Sequence, residues 1–282
     1  MGMENLLQLI LITREPDFAQ VGCAAGVNRI MVDLEVLGKE ARQRGRNMVM
    51  NDHQREDVAR LRPAVPKGGL VARVNPLHSD SRQEIDVVIS AGADYVMLPM
   101  FRNRADVEQF IALVNGRART ILLLETPEAR NELDQILSLA GIDEIHVGLN
   151  DLSLGLGMPF LFQVLAEGII DEIAEKVRRA EIRFGFGGVG RMDGDPLPGH
   201  LIIAEHKRVG SEMVILSRSF HGNSKTLAEF EQTGIDLRGE IASLRAVERR
   251  AADRSQEQIE RDRRALQRKV REIVGQPTAA EA

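Results

Sequence analysis

Cysteine is almost absent from this chain: Cys23 is the single thiol among 282 residues. One thiol cannot close an internal disulfide or build a Cys-rich zinc site, and a reducing cytoplasm is the compartment such a chain fits. Long hydrophobic runs are missing as well. No stretch of 18 apolar residues occurs, so no membrane-spanning helix is expected. The opening MGMENLLQLILITREP places Glu4 ahead of a short apolar stretch instead of a basic region, which argues against an export signal. Positive charge is not in excess either: 37 Lys and Arg stand against 42 Asp and Glu, a net charge of -5 that argues against nucleic acid as a partner.

What is present is an ordinary globular composition, 43% hydrophobic and 28% charged, on a chain long enough to bury the core of one α/β barrel. Short apolar, β-rich runs recur along the first 220 residues, separated by segments with helical period and turn signals. The runs predict strands near residues 9–13, 29–33, 70–74, 95–99, 121–125, 144–148, 182–185 and 213–217. Eight such strands fit a (β/α)8 TIM barrel over residues 1–222, and a doubly wound open sheet is the alternative with the same alternation. Helix starts are marked by Ser81 with Glu84 three residues on, and by Thr126 before Pro127. From 223 to 274 the chain turns polar and charge-dense, with Leu237, Ile241, Leu244, Val247, Ile259, Leu266, Val270 and Ile273 at three- and four-residue steps. This predicts a C-terminal amphipathic helical extension, read first as an oligomerisation arm and second as a helix pair folded back on its own barrel. Residues 275–282 read as a disordered tail.

Two acids fall where barrel enzymes place their chemistry, at the carboxyl ends of adjacent strands: Glu125 after TILLL and Asp151 after EIHVGLN. Two hard oxygen ligands there suit Mg2+ or Mn2+ with positions left for substrate and water. Arg73, closing LVAR, offers a planar donor fork for a substrate carboxylate or an enolate oxygen. Each has a structural alternative, since either acid can cap the helix that follows it and Arg73 can pair with either acid. The three together make a coherent electrophilic site.

The segments VDLE (32–35), VARVNP (71–76), MLPM (97–100), LLETPEA (123–129) and GLNDLSLGLG (148–157) resemble the HpcH/HpaI aldolase and citrate lyase β-subunit family, in order and spacing, over residues 9 to about 220. The resemblance implies a divalent-metal carbon–carbon lyase in which Glu125 and Asp151 ligate the metal and Arg73 contacts a bound 2-oxo acid. It also implies a homo-oligomer, a hexamer of domain-swapped dimers. Where pyruvate aldolases of that family resemble DGEH, this chain has Asp33, Leu34, Glu35 and Val36, so the expected histidine is missing.

The chemistry expected is the making or breaking of a carbon–carbon bond between a 2-oxo acid and an aldehyde or related acceptor. A Schiff-base route is disfavoured because all six lysines, Lys39 among them, fall in predicted loops or helices. His53, in the loop NDHQ, is the candidate base, aided by Glu35, against the alternative of a solvated helix-start histidine. His146 lies inside a predicted strand and reads as a hydrogen-bonded core residue. Gly185, Gly187, Gly188 and Gly190 predict an exposed-backbone loop after the seventh strand, so Gly187 and Gly188 join Asn150 and Ser217 in the expected substrate-binding set. The glycine spacing falls short of a dinucleotide fingerprint. Rival readings are an acyl-CoA lyase of the citryl or malyl type and a non-catalytic barrel used for assembly.

Overall fold

The structure is a computed structural model that describes residues 6–39, 52–194 and 196–275. Eight parallel strands close in sequence order: β1 (Gln8–Ile12), β2 (Arg29–Asp33), β3 (Leu70–Arg73), β4 (Tyr95–Leu98), β5 (Arg119–Leu124), β6 (Glu144–Gly148), β7 (Arg183–Gly187) and β8 (Met213–Ile215). Pairing of β8 with β1, Gln8 opposite Met213, seals the cylinder and excludes the open sheet. The strands RIMVD and YVML are buried throughout because one face looks into the barrel and the other onto a helix. Ile10, Met31, Val71, Met97, Ile121 and Leu123 pack the interior, while a larger core that includes Phe18, Phe110 and Ile173 lies between strands and helices.

Local chemistry explains several boundaries. Thr126 accepts from the Ala129 N–H at 3.2 Å with Pro127 in the first turn, as its sequence predicts. Ser81 does start a helix, but Glu84 turns away from it to bind the Asn75 side chain at 2.8 Å. β7 runs two residues past its expected end, through Gly187.

The C-terminal segment forms helices Leu227–Gln232, Leu237–Ala252 and Gln256–Val274. The last two pack on the barrel's own helix Gly199–Val209, burying Leu237, Ile241, Leu244, Leu266 and Val270. Arg254 donates to the Ala204 carbonyl at 2.8 Å, and Glu248, 1% exposed, accepts from the Leu7 N–H at 2.6 Å. Five of the eight residues of the stripe are thus buried on the chain's own barrel, while Val247, Ile259 and Ile273 are only partly covered. No helix among the described residues is long and apolar enough to cross a membrane.

The N-terminal end of the barrel is closed by ions. Glu144 takes both ends of the Arg29 guanidinium, at 2.5 and 2.8 Å, and Arg183 at 2.9 Å. The Arg29 fork also lies 4.1 Å over the Tyr95 ring. All four residues open their strands, so this plug sits at the end opposite the one where barrel enzymes work.

Candidate active site

The carboxyl ends of the strands gather charge. Asp33 ends β2 and Arg73 ends β3, and the register places them side by side. Arg73 Nε donates to Asp33 Oδ1 at 2.7 Å, and Lys39 Nζ to Asp33 Oδ2 at 3.0 Å. Glu35 Oε2 completes the ring, 3.6 Å from Arg73 and 3.5 Å from Lys39. Asp33, Glu35 and Lys39 are all buried. Burial opposes ionisation of Asp33, but Arg73 and Lys39 outweigh it and hold its carboxyl well below the usual carboxylate range. Burial likewise works against the Arg73 cation, and Asp33 and Glu35 more than restore it.

Glu125 follows β5 directly and is 4% exposed. Its Oε1 accepts from the Met100 N–H at 3.1 Å, an arrangement that holds Met100 at φ 54°, unusual for a residue with a side chain. Gly148, at the end of β6, lets the carboxylate lie against the backbone: a Cβ there would stand 2.5 Å from Glu125 Oε2. Asp151 comes in the first turn of the helix Leu149–Gly155 that β6 feeds. Burial first, then Glu35 and Asp151, push the Glu125 carboxyl well above its ordinary value against the pull of Arg73. Glu125, Asp151, Met100, Arg102, Thr126 and Glu128 line a recess of about 450 Å³. Beside Asp151, the Asn150 amide nitrogen is buried with no hydrogen-bond partner among the described residues.

Among the described residues no three His, Cys, Asp or Glu side chains stand close enough to hold a metal by themselves. Glu125 and Asp151 are a two-carboxylate set, and mutual repulsion inside a buried cluster is what a hard divalent cation relieves. The residues present fit such an ion, with the remaining positions left to substrate and water.

The structure places Arg73, Glu35 and Asp151 around Glu125, with Asn150 next to Asp151 in the chain. His53 meets this group at the Asp33 backbone. His53 Nδ1 accepts from the Asp33 N–H at 3.0 Å, so the neutral ring carries its proton on Nε2. Burial lowers its affinity for a second proton, against the opposing pull of Asp33 and Asp57. The ring lines a separate recess of about 80 Å³ with Arg14, Arg218 and His221. Ser217 Oγ is engaged by Ser219 at 2.8 Å.

The glycine loop also needs correction. Gly185 and Gly187 belong to β7: an added Cβ on Gly185 would stand 2.1 Å from Met213 Cγ and 3.0 Å from His146 Nδ1, and one on Gly187 would stand 2.6 Å from His146 Nε2. Gly187 is thus a packing glycine. Gly188 is pressed against β8, where an added Cβ would stand 3.0 Å from the Ile215 carbonyl oxygen. His146 is fully buried yet neither ring nitrogen finds a partner among the described residues, contrary to the hydrogen-bonded core residue expected. Burial, with Arg73 and Arg29 nearby, lowers it to about 3, so it is neutral.

Lys39 belongs to the site although its place in a loop says nothing about depth. The sequence signal for it is the Glu35–Lys39 spacing of four, which is that of an ion pair on one helical turn. Asp33 is visible as a strand end but offers no metal geometry. Met100 carries no signal, since a left-handed methionine cannot be told from composition.

The profile of the HpcH/HpaI aldolase/citrate lyase family matches residues 9–160. A solved HpcH/HpaI aldolase/citrate lyase family protein from Burkholderia cenocepacia J2315 is 14% identical and superposes with a TM-score of 0.61 over 86% of this chain and 95% of that one. The citrate synthase SbnG is 21% identical, with a TM-score of 0.58 over 82% and 95%. At those identities the likeness is one of fold. A pyruvate kinase from Agrobacterium vitis is 30% identical over 93 residues, 33% of this chain, and the chain spans about a fifth (19%) of that relative's length.

Proposed function

The chain belongs to the HpcH/HpaI aldolase/citrate lyase family, and we propose that it is a divalent-metal-dependent carbon–carbon lyase or aldolase acting on a 2-oxo acid. The observation that carries this reading is the buried Glu125 carboxyl, forced up by burial, Glu35 and Asp151 at the barrel end where Arg73 presents its fork. Magnesium or manganese held by Glu125 and Asp151 would supply Lewis acidity toward the carbonyl of the oxo acid.

The chain's own residues do the rest. Arg73, locked by Asp33 and Glu35, stays cationic and binds the substrate carboxylate or the oxygen that gains charge. The Asn150 amide, buried without a partner among the described residues, donates to a substrate oxygen. Glu35 takes the proton from the carbon beside the carbonyl when a bond is made at that carbon, and returns it when one is broken.

Exchange of the pyruvate methyl protons with deuterium, followed by NMR, tests this. The unaltered chain should exchange them only with Mg2+ or Mn2+ present, and Glu125→Gln and Asp151→Asn should each lose about 1000-fold or more. Exchange that ignores the metal, or survives both substitutions, would overturn the reading.

A further inference from the structure

We infer that Lys39 sets the net charge of the acidic centre, and through it how tightly and how selectively that centre takes a cation by charge; the inference rests on the metal reading above. Six ionisable side chains meet at this end of the barrel. Asp33, Glu35, Arg73 and Lys39 form a ring in which each acid faces both bases, through contacts of 2.7 to 3.6 Å. Two acids and two bases sum to zero. With both ionised, as they would be when ligating a cation, Glu125 and Asp151 bring the total to -2, the complement of a divalent ion. Lys39 is the member that can be withdrawn without touching the proposed substrate fork or either metal donor. The residue is 5% exposed, so solvent and salt screen its charge little. It acts through Glu35, whose carboxylate weighs directly on Glu125. Arg218, on the eighth-strand side, adds a longer-range field on Asp33 and Arg73, and that field is common to every variant compared below. Lys39 is therefore a positioning residue that fixes charge, not a nucleophile.

A lysine that merely propped the ring would, when lost, loosen the site for all ions alike. A lysine that sets charge gives a different signature, because the energy of removing one unit of like charge scales with the charge of the ion. Mn2+ should then gain, and a trivalent ion should gain half as much again on a logarithmic scale.

The test uses the full chain stripped of metal, with free Mn2+ read by electron paramagnetic resonance and Tb3+ read by its displacement of Mn2+. Lys39→Met should bind Mn2+ about 10-fold tighter and Tb3+ about 30-fold tighter, shifting the Tb3+/Mn2+ preference about threefold. Lys39→Arg should restore both affinities to within about twofold of the unaltered chain, since it keeps the charge. Lys39→Gln, which keeps a polar side chain, should behave as Lys39→Met if the latter fails to fold. Affinities that stay the same, or fall equally for both ions, in variants that melt cooperatively would overturn the inference and leave the metal reading intact. Failure of the unaltered chain to bind either ion would overturn the metal reading itself, and the inference with it.

Discussion

Both ends of the barrel bury carboxylates near arginines, yet the two ends solve the problem differently. At the N-terminal end Glu144 is surrounded by donors, with Arg29 held bidentate, Arg183 alongside and the Tyr95 ring beneath the Arg29 fork. At the other end Glu125 is surrounded by acids, receives one backbone N–H, and its carboxyl is driven up. The same residue type is structural where its charge is matched, and where it is not it is the ligand proposed for a cation. A sequence reader sees Glu at a strand in both cases; the difference lies in which strands become neighbours once the barrel closes.

That contrast can be broken first at the satisfied end. Glu144→Gln leaves Arg29 buried, with its carboxylate partner gone, and should cost about 3–5 kcal/mol in urea unfolding, while metal-dependent proton exchange per folded molecule stays unchanged. A loss of exchange with stability intact would reverse the assignment of the two ends. Between the ends, Gly187→Ala drives a methyl toward His146 Nε2 and should cost about 1–3 kcal/mol. Combining it with His146→Ala should recover most of that, and a double variant no better than the single one would show that the glycine serves something other than the ring.

The smallest effect sharpens the contrast by pH. The Glu125 carboxyl is raised above its ordinary 4.5, so its contribution to stability is complete below about pH 4.5 and is lost as pH rises through the raised value. Glu125→Gln removes that loss. Melting temperatures of the two proteins should coincide near pH 4.5 and separate above it, the variant gaining roughly 2–4 °C for each kcal/mol relieved. A gap that closes as pH rises would contradict the environment described for Glu125. Asp33 behaves oppositely, its lowered carboxyl giving stability above its ordinary 3.8 that falls away below it.

The barrel is legible in the sequence because its information is local. Apolar runs with turn signals mark the strands, and a parallel strand end fixes which way Arg73, Glu125 and Asp151 face. What cannot be read depends on depth and on neighbours distant in sequence. By sequence Lys39 is an ordinary loop lysine, His53 an available base and the seventh-strand glycines a ligand loop; in the fold Lys39 and His53 meet Asp33, and strand pairing sets His146 beside Gly185 and Gly187. The C-terminal stripe is recognisable as a stripe, but periodicity does not say which surface it covers.

The contact between Leu7 and Glu248 has a consequence in time. The first strand acquires its neighbour β8, and the Leu7 amide just ahead of it acquires a partner, from residues more than 200 positions downstream. Synthesis runs from the N-terminus, so β1 must wait until β8 has been made with one edge unsealed, able to pair with the wrong strand. Closing so long a loop makes the final step slow. The helix that carries Glu248, made long after β1, acts as the clasp on that strand.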